Sequence, residues 1–307
     1  MKITNCMKAL GLIAFLLLRM FLQAQQIELV VLGTAQDGGY PQAGCNKSCC
    51  KTAWNNPEQR RWVSCISIIN QSSNEAWLFD ITPDFREQWQ LLQQKTNDSI
   101  KLAGIFLTHA HMGHYSGLMH LGREAMGSKS IPVYVLPRMK NYLENNGPWS
   151  QLVRLKNIQL IPLTADSTKG LIKDLKVTPF TVPHRDEFSE TAAFMITTGK
   201  RNILYLPDID KWEKWDTNAI ALLSSVDLAF VDATFWSATE LPGRSMAEIP
   251  HPLVIESMQF LRTVSSKIYF IHLNHTNPLL GKKSSEGLLL KNSGFQLAEQ
   301  GQIIQVK

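Results

Sequence analysis

The chain has 307 residues, of which 44% are hydrophobic and 19% are charged, a composition typical of globular proteins that bury a sizeable core. Its formal net charge is +5, but residues 1–24 contain three basic residues and no acidic one; the rest has 28 basic and 26 acidic residues, a net charge of +2. The sequence has no basic tract or stripe, so its charge argues against nucleic-acid binding.

The N-terminus has the features of a secretory signal peptide. Lys2 and Lys8 form a positive region before the apolar stretch 9–18, and Leu22-Gln-Ala24 is an acceptable cleavage site. We therefore predict a signal peptide over residues 1–24 and a mature domain over 25–307, periplasmic or secreted and without stable membrane association. The alternative is an uncleaved membrane anchor, although the apolar stretch is short for the roughly 20 residues that a span needs.

Apolar runs and turn residues divide the remaining chain into many short strands and a few helices. The predicted strands cover residues 27–32, 63–69, 76–80, 102–107, 132–136, 158–163, 175–182, 193–197, 202–206, 226–231 and 267–271. Helical spacing predicts helices over 84–94, 116–126, 139–144 and 252–262. Because the helices intervene irregularly, the pattern favours a mixed α/β sandwich in one domain over a doubly wound sheet.

Three histidines follow the predicted strand 102–107, in the segment His109-Ala-His111-Met-Gly-His114. Side chains two residues apart point the same way in an extended chain, so His109 and His111 can bind one ion. His114 lies where the chain turns towards a helix and can face the same cavity from another side. Imidazole is a good zinc ligand at neutral pH. The segment predicts a metal site, against the alternative of a histidine-rich loop that binds no metal.

Further candidate ligands lie at the ends of other predicted strands. His184 follows strand 175–182, Asp208 follows strand 202–206, and His272 follows strand 267–271. Asp210 is the alternative to Asp208, which we favour because it comes first after its strand.

The segment Cys45-Asn-Lys-Ser-Cys49-Cys50 places three thiols within six residues. Such a cluster suits a tetrahedral metal site. In an exported protein the alternative is a disulfide, such as one between Cys45 and Cys49, with Cys50 free. Cys65 lies in a predicted strand and is expected to be a small buried hydrophobic residue.

The order of these groups is a histidine cluster, a single histidine, a single aspartate and a single histidine, each at a strand end. It resembles the metallo-β-lactamase fold, an αββα sandwich, over residues 27–307. The resemblance implies a first metal on His109, His111 and His184, and a second metal on His114 and His272, with Asp208 bridging. Asp208 and His114 would complete the catalytic centre, because two adjacent cations generate hydroxide near neutral pH and polarise a carbonyl or phosphoryl oxygen.

One position departs from that family. Its first motif usually has an aspartate immediately before the last histidine, and this chain has Gly113 there. Glycine offers no side-chain ligand. We therefore expect the second metal site to be weaker, empty or filled by a different metal.

Three segments are similar to the PqqB branch of the superfamily, which is linked to pyrroloquinoline quinone biosynthesis. They are Gly38-Gly39-Tyr-Pro-Gln, Val231-Asp232-Ala-Thr-Phe-Trp236 and Phe270-Ile-His-Leu-Asn-His-Thr-Asn-Pro278. The chain differs from that branch in its export signal and in keeping the His-x-His part of the first motif. It is therefore identified as a PqqB-like relative that need not share the PqqB role.

A second resemblance concerns the cysteine cluster. Phosphodiesterases of the PhnP type carry a structural zinc, bound by an early cysteine cluster and a histidine three residues after the last active-site histidine. His275 has this spacing from His272. The resemblance implies a closed site of Cys45, Cys49, Cys50 and His275. Because adjacent cysteines point apart in an extended chain, we expect a tight turn at positions 49 and 50.

Two further residues are candidates near the site. Asp232 ends a strand and either orients a ligand histidine or caps a loop. His251 either lines the substrate pocket or lies on the surface at the start of a helix.

These features favour an exported zinc hydrolase that acts on an ester, phosphodiester or amide-type bond of a small molecule, with one or two zinc ions in the active site and one structural zinc. The first alternative is an iron-dependent oxygenase, suggested by the PqqB resemblance. The second is a non-catalytic zinc-binding protein, suggested by Gly113.

Overall fold

The computed structural model describes residues 27–96, 99–245, 248–281 and 284–307. These residues form two seven-stranded sheets that pack face to face. The predicted signal peptide, residues 1–24, lies outside the described residues. Within the described ranges, no helix combines the length and the apolar character that crossing a bilayer requires.

The first sheet contains strands from the first half of the chain and the last strand. Its members are β1 (Ile27–Gly33), β2 (Cys65–Asn70), β3 (Glu75–Phe79), β4 (Lys101–Phe106), β5 (Ile131–Val135), β6 (Ile158–Pro162) and β14 (Ile303–Gln305). They lie in the order β14-β1-β2-β3-β4-β5-β6. Strands β3 to β6 are parallel, whereas β14, β1, β2 and β3 pair antiparallel.

The second sheet repeats this plan with the second half of the chain. Its members are β7 (Lys169–Ile172), β8 (Leu175–Thr181), β9 (Ala192–Thr198), β10 (Asn202–Leu206), β11 (Leu228–Asp232), β12 (Ile268–Ile271) and β13 (Gln296–Leu297). They lie in the order β13-β12-β11-β10-β9-β8-β7. Strands β10 to β13 are parallel, and β7 to β10 pair antiparallel.

Helices cover the outer faces of both sheets. In the described ranges the α-helices are α1 (Ser48–Asn55), α2 (Phe85–Lys95), α3 (Met112–Tyr115), α4 (Pro137–Asn145), α5 (Trp149–Arg154), α6 (Ala219–Ser225), α7 (Val254–Phe260) and α8 (Ser285–Asn292). Helices α2, α4 and α5 pack on the first sheet, and α6, α7 and α8 pack on the second. The predicted αββα sandwich is confirmed.

Aromatic side chains fill the space between the two sheets. Phe106 stacks on Phe79 at a ring separation of 5.0 Å and on Tyr134 at 4.3 Å. Phe194 and Tyr205 of the second sheet meet Phe79 edge to face at 5.7 Å and 6.2 Å. This packing joins β3 and β4 of the first sheet to β9 and β10 of the second.

The helix predicted over 116–126 is wrong in extent and type. A single α-helical turn, α3, is followed by a 3-10 helix over Ser116–Leu121, and the chain then turns. The reason is close packing: a Cβ at Gly117 would lie 2.2 Å from the backbone oxygen of Thr82. This segment therefore follows the neighbouring chain rather than the regular helical path that its apolar spacing suggested.

Candidate metal centre

The ends of β4 and β8 bring together the first set of predicted ligands. One nitrogen each from His109, His111 and His184 lies within 4.8 Å of the others. His109 Nε2 is 2.8 Å from His111 Nδ1, while the other nitrogen of His109 lies 3.0 Å from Thr108 Oγ1. Thr108 therefore leaves Nε2 of His109 to face the neighbouring histidines, which is the arrangement that a shared metal ion requires.

A second set of atoms lies beside the first. His114 Nε2 is 3.0 Å from Asp208 Oδ2 and 3.1 Å from Asp37 Oδ1. His272 Nε2 is 3.3 Å from the same oxygen of Asp208 and 4.0 Å from that of Asp37. Two imidazoles and two carboxylates thus surround one point. Asp37 was missed by the sequence analysis.

Asp208 lies between the two sets. Its Oδ2 faces His114 and His272, whereas its Oδ1 lies 3.8 Å from His184 Nε2. One carboxylate therefore presents one oxygen to each set, which is the geometry that bridging two metal ions requires. The alternative, Asp210, is ion-paired with Lys214 at 2.8 Å and does not take part.

These residues fit a divalent cation. Asp37 Oδ1, His114 Nε2, Asp208 Oδ2 and His272 Nε2 are buried atoms with no hydrogen-bond partner among the described residues. Leaving a buried polar atom without a partner costs about 1–3 kcal/mol of folding free energy. Four such atoms around one point are therefore best satisfied by one shared partner, such as a metal ion. Zinc bonds of about 2.0–2.2 Å place neighbouring ligand atoms roughly 3–3.6 Å apart, close to most of the distances observed.

The electrostatics of the site also favour a cation. Burial lowers the pKa of His109 well below its ordinary value and that of His184 to about 4, so both rings are neutral and ready to bind metal at pH 7. Burial opposes a charge on His114, but the carboxylates of Asp80 and Asp208 raise its pKa well above the ordinary value. A site that stabilises a proton among carboxylates will also stabilise a metal ion.

Asp80 holds the first motif in place and was not among the predicted site residues. Its Oδ2 lies 2.7 Å from His114 Nδ1, and its Oδ1 accepts hydrogen bonds from the backbone N–H and hydroxyl of Thr108 at 2.8 and 2.9 Å. The carboxylate thereby turns Nε2 of His114 towards Asp208. Asp80 also has a φ of 69°, a left-handed conformation that is uncommon outside glycine. The signal in the sequence was an acid directly after an apolar strand.

Asp232 plays the corresponding part in the second sheet. It accepts a hydrogen bond from Thr234 Oγ1 at 2.7 Å, and Thr234 Oγ1 lies 2.9 Å from His272 Nδ1. Its other oxygen lies 2.7 Å from His251 Nδ1. His251 is buried, with its ring 5.2 Å from that of His184, so the surface alternative for His251 is wrong. Asp232 orients His272 through Thr234 and holds His251 beside the candidate ligands.

The cysteine cluster forms a separate group of four. Cys45 Sγ and Cys49 Sγ are 3.7 Å apart, and His275 Nδ1 lies 3.7 Å from Cys49 Sγ and 3.3 Å from Cys50 Sγ. The cysteines of the described chain are all free. Zinc–sulfur bonds of about 2.3 Å place tetrahedral sulfur ligands roughly 3.7 Å apart, so the spacing fits zinc, whereas a disulfide needs about 2.05 Å.

Helix α1 explains how adjacent cysteines reach one point. Cys49 and Cys50 lie in its first turn, with Cys45 just before it. The expected tight turn is thus a helix start, where backbone N–H groups favour thiolates. The backbone N–H of Lys47 lowers the pKa of Cys45, whereas burial raises the pKa of Cys50 to about 12. A bound cation would offset the cost of ionising the buried thiol.

The fold and the site together define a protein of the metal-binding αββα sandwich class. Residues 76–273 match the beta-lactamase superfamily domain, and the chain belongs to this family. The coenzyme PQQ synthesis protein B of Xanthomonas euvesicatoria pv. vesicatoria is 29% identical over 307 residues, covering 90% of this chain and 98% of that protein. The resemblance to the PqqB branch is therefore confirmed.

Solved structures give the same result for the fold. Zinc-bound PqqB from Methylobacterium extorquens superposes with a TM-score of 0.77 at 22% identity, covering 91% of this chain and 100% of that one. A diphosphatase of the PhnP family superposes with a TM-score of 0.67 at 22% identity, covering 91% of this chain and 96% of that one.

Proposed function

We propose that the protein is a metal-dependent hydrolase, most simply with zinc, that cleaves an ester, phosphodiester or amide-type bond of a small molecule. The observation that carries the proposal is the convergence of unpaired, buried ligand atoms on both sides of Asp208. Bound metal would supply hydroxide near neutral pH and polarise the bond that is attacked. Similarity in fold to a diphosphatase of the PhnP family makes phosphoryl substrates the first to test.

The surrounding residues suggest how a substrate would approach. The side chains of His111 and Asp37 are 13% and 27% exposed, whereas that of His114 is fully buried, so the centre opens to solvent beside His111 and Asp37. Glu187 Oε2 lies 3.3 Å from His111 Nε2 at this opening. In this proposal His109, His111 and His184 bind one metal ion, and His251, held by Asp232, contacts the substrate from the inner side.

The activity is tested by comparing wild type with His111→Ala on a phosphodiester, a phosphomonoester and a carboxyl ester carrying nitrophenyl leaving groups. We expect the wild type to turn over at least one of them, and His111→Ala to lose at least about 100-fold in kcat/KM, because loss of even an outer partner of a ligand costs roughly 10–100-fold. Chelation should abolish turnover, and added zinc should restore it.

His120→Ala is the matched control. His120 is half-buried in the same segment, with its ring 5.8 Å from that of Phe85, and belongs to neither ligand set. Its loss should leave kcat/KM within about twofold. Absence of all turnover in a zinc-loaded wild type would favour a non-catalytic zinc-binding protein. Iron as the main metal, with oxygen consumed during turnover, would overturn the hydrolase proposal in favour of an oxygenase.

We also propose that the protein is exported, on the basis of the sequence of residues 1–24 alone. When the full chain is expressed in a Gram-negative bacterium, we expect it in the periplasmic fraction with an intact mass that begins at Gln25. A variant that starts with Met followed by Gln25 should remain in the cytoplasm. Recovery of the uncleaved chain in the membrane fraction would support the anchor alternative instead.

A further inference from the structure

Asp37 lies in the turn that follows β1 and is aimed at the second set of ligand atoms. Its Oδ1 is 3.1 Å from His114 Nε2 and 4.0 Å from His272 Nε2, and this oxygen has no hydrogen-bond partner among the described residues. The side chain is therefore directed at a point shared with two ring nitrogens, and an aspartate carboxyl group is ordinarily ionised at neutral pH.

Gly113 is what makes room for Asp37. A Cβ at position 113 would lie 2.2 Å from Asp37 Oδ1 and 2.7 Å from Asp37 Cα. Any side chain at position 113 would therefore occupy the space that Asp37 occupies. The carboxylate of Asp37 and a side chain at 113 exclude each other sterically.

The turn that carries Asp37 is held against the strand end that carries His272. The backbone N–H of Gln36 donates to the carbonyl of Leu273 at 2.8 Å, and the N–H of Leu273 donates to the carbonyl of Thr34 at 2.8 Å. Gly39, with a φ of 65°, closes the turn by donating its N–H to the carbonyl of Gln36 at 2.7 Å. The position of Asp37 is therefore coupled to that of a predicted metal ligand.

We propose that Asp37 is the anionic ligand of the second metal ion, completing a set with His114, Asp208 and His272. This inference rests on the proposed metal centre but does not require hydrolysis. The two carboxylates contribute a charge of −2, which a divalent cation balances when both imidazoles bind it as neutral ligands. The weakness expected of this site from Gly113 is thereby removed, because a carboxylate from another loop takes the place of one at 113.

Zinc content and zinc affinity test the proposal independently of activity. The metal-loaded wild type is analysed by elemental analysis, and the metal-free protein is then titrated with zinc alone against a chromophoric chelator. We expect Asp37→Asn, which keeps the size and removes the charge, to weaken one zinc site by at least about 100-fold and leave the others unchanged. Asp210→Asn is the matched control and should bind zinc as the wild type does, because Asp210 pairs with Lys214.

Single replacements at the two positions provide the second test. Gly113→Ala should lower zinc affinity at this site, because its Cβ would meet both Oδ1 and Cα of Asp37. Asp37→Gly should lower it by removing the ligand, and both variants should keep the far-UV circular dichroism of the wild type. Zinc affinity within twofold of wild type in folded Asp37→Asn or Asp37→Gly would overturn the proposal.

Discussion

Replacement of Asp208 by asparagine should weaken the binding of both metal ions that we propose for the active centre. Asp208 Oδ2 lies 3.0 Å from His114 Nε2, and Oδ1 lies 3.8 Å from His184 Nε2, so one side chain faces both ligand sets. Asparagine keeps the shape but removes the charge and one acceptor. We expect zinc affinity to fall more than about 100-fold at both positions, and any turnover to fall at least as far. Competition titration with zinc and kcat/KM measure the two effects.

The contrast with Asp37 makes this prediction specific. Asp37 faces only His114 and His272, so Asp37→Asn should affect one zinc ion, whereas Asp208→Asn should affect two. The zinc ion that we expect at the cysteine cluster would serve as an internal reference, because neither aspartate belongs to that group. If Asp208→Asn released only one zinc ion from the active centre, Asp208 would belong to a single site and the bridging role would be wrong.

Much of the site follows from a simple property of the sequence. His184, Asp208 and His272 each lie within three residues of the end of an apolar strand, and β8, β10 and β12 run in the same direction and so end at the same edge of the sheet. The order of the strands along the chain therefore predicts which polar residues meet, even without knowledge of the register. The structure brings these three residues together with His109 and His114 as that reasoning requires.

Asp37 could not be identified in this way. It lies in a glycine-rich turn, where aspartate is common for local reasons. Its approach to His114 depends on the hydrogen bonds between Gln36 and Leu273, which are far apart in the sequence. The clue was indirect: Gly113 marks a position where a close neighbour excludes a side chain, but the sequence does not say which residue is that neighbour.

The cysteine segment shows a different limit. The sequence predicts no helix over residues 45–55. Helix α1 covers only Ser48–Asn55, and of its residues only Cys50 and Ala53 are buried. Its position is determined by contacts outside the helix, such as the hydrogen bond from Tyr40 to the carbonyl of Cys49 at 2.8 Å. Apolar periodicity does not detect so short a helix, whose buried residues are one cysteine and one alanine.

Loss of the cysteine site should be visible as the loss of one zinc ion and a drop in stability. Cys50 Sγ is buried and lies 3.3 Å from His275 Nδ1, so we expect Cys50→Ala to bind one zinc fewer per chain. At free zinc near 100 times its dissociation constant, a bound ion stabilises the fold by about 2.7 kcal/mol. That corresponds to a fall in Tm of roughly 5 °C for a domain of this size. Elemental analysis measures the zinc content, and thermal unfolding at a fixed free zinc concentration measures the change in Tm.

Cys65→Ala separates a metal effect from the loss of a buried thiol. Cys65 is fully buried, and its thiol donates to the carbonyl of Asp80 at 3.4 Å, far from the cysteine cluster. This variant should keep the zinc content of the wild type. Its Tm should change with zinc concentration as the Tm of the wild type does. Limited proteolysis should cut the segment around α1 faster in Cys50→Ala only. Two results together would instead establish a disulfide: equal zinc content in both variants, and a wild-type mass two hydrogens below that of the fully reduced chain. The mass decides the point because sulfur atoms that bind zinc are reduced.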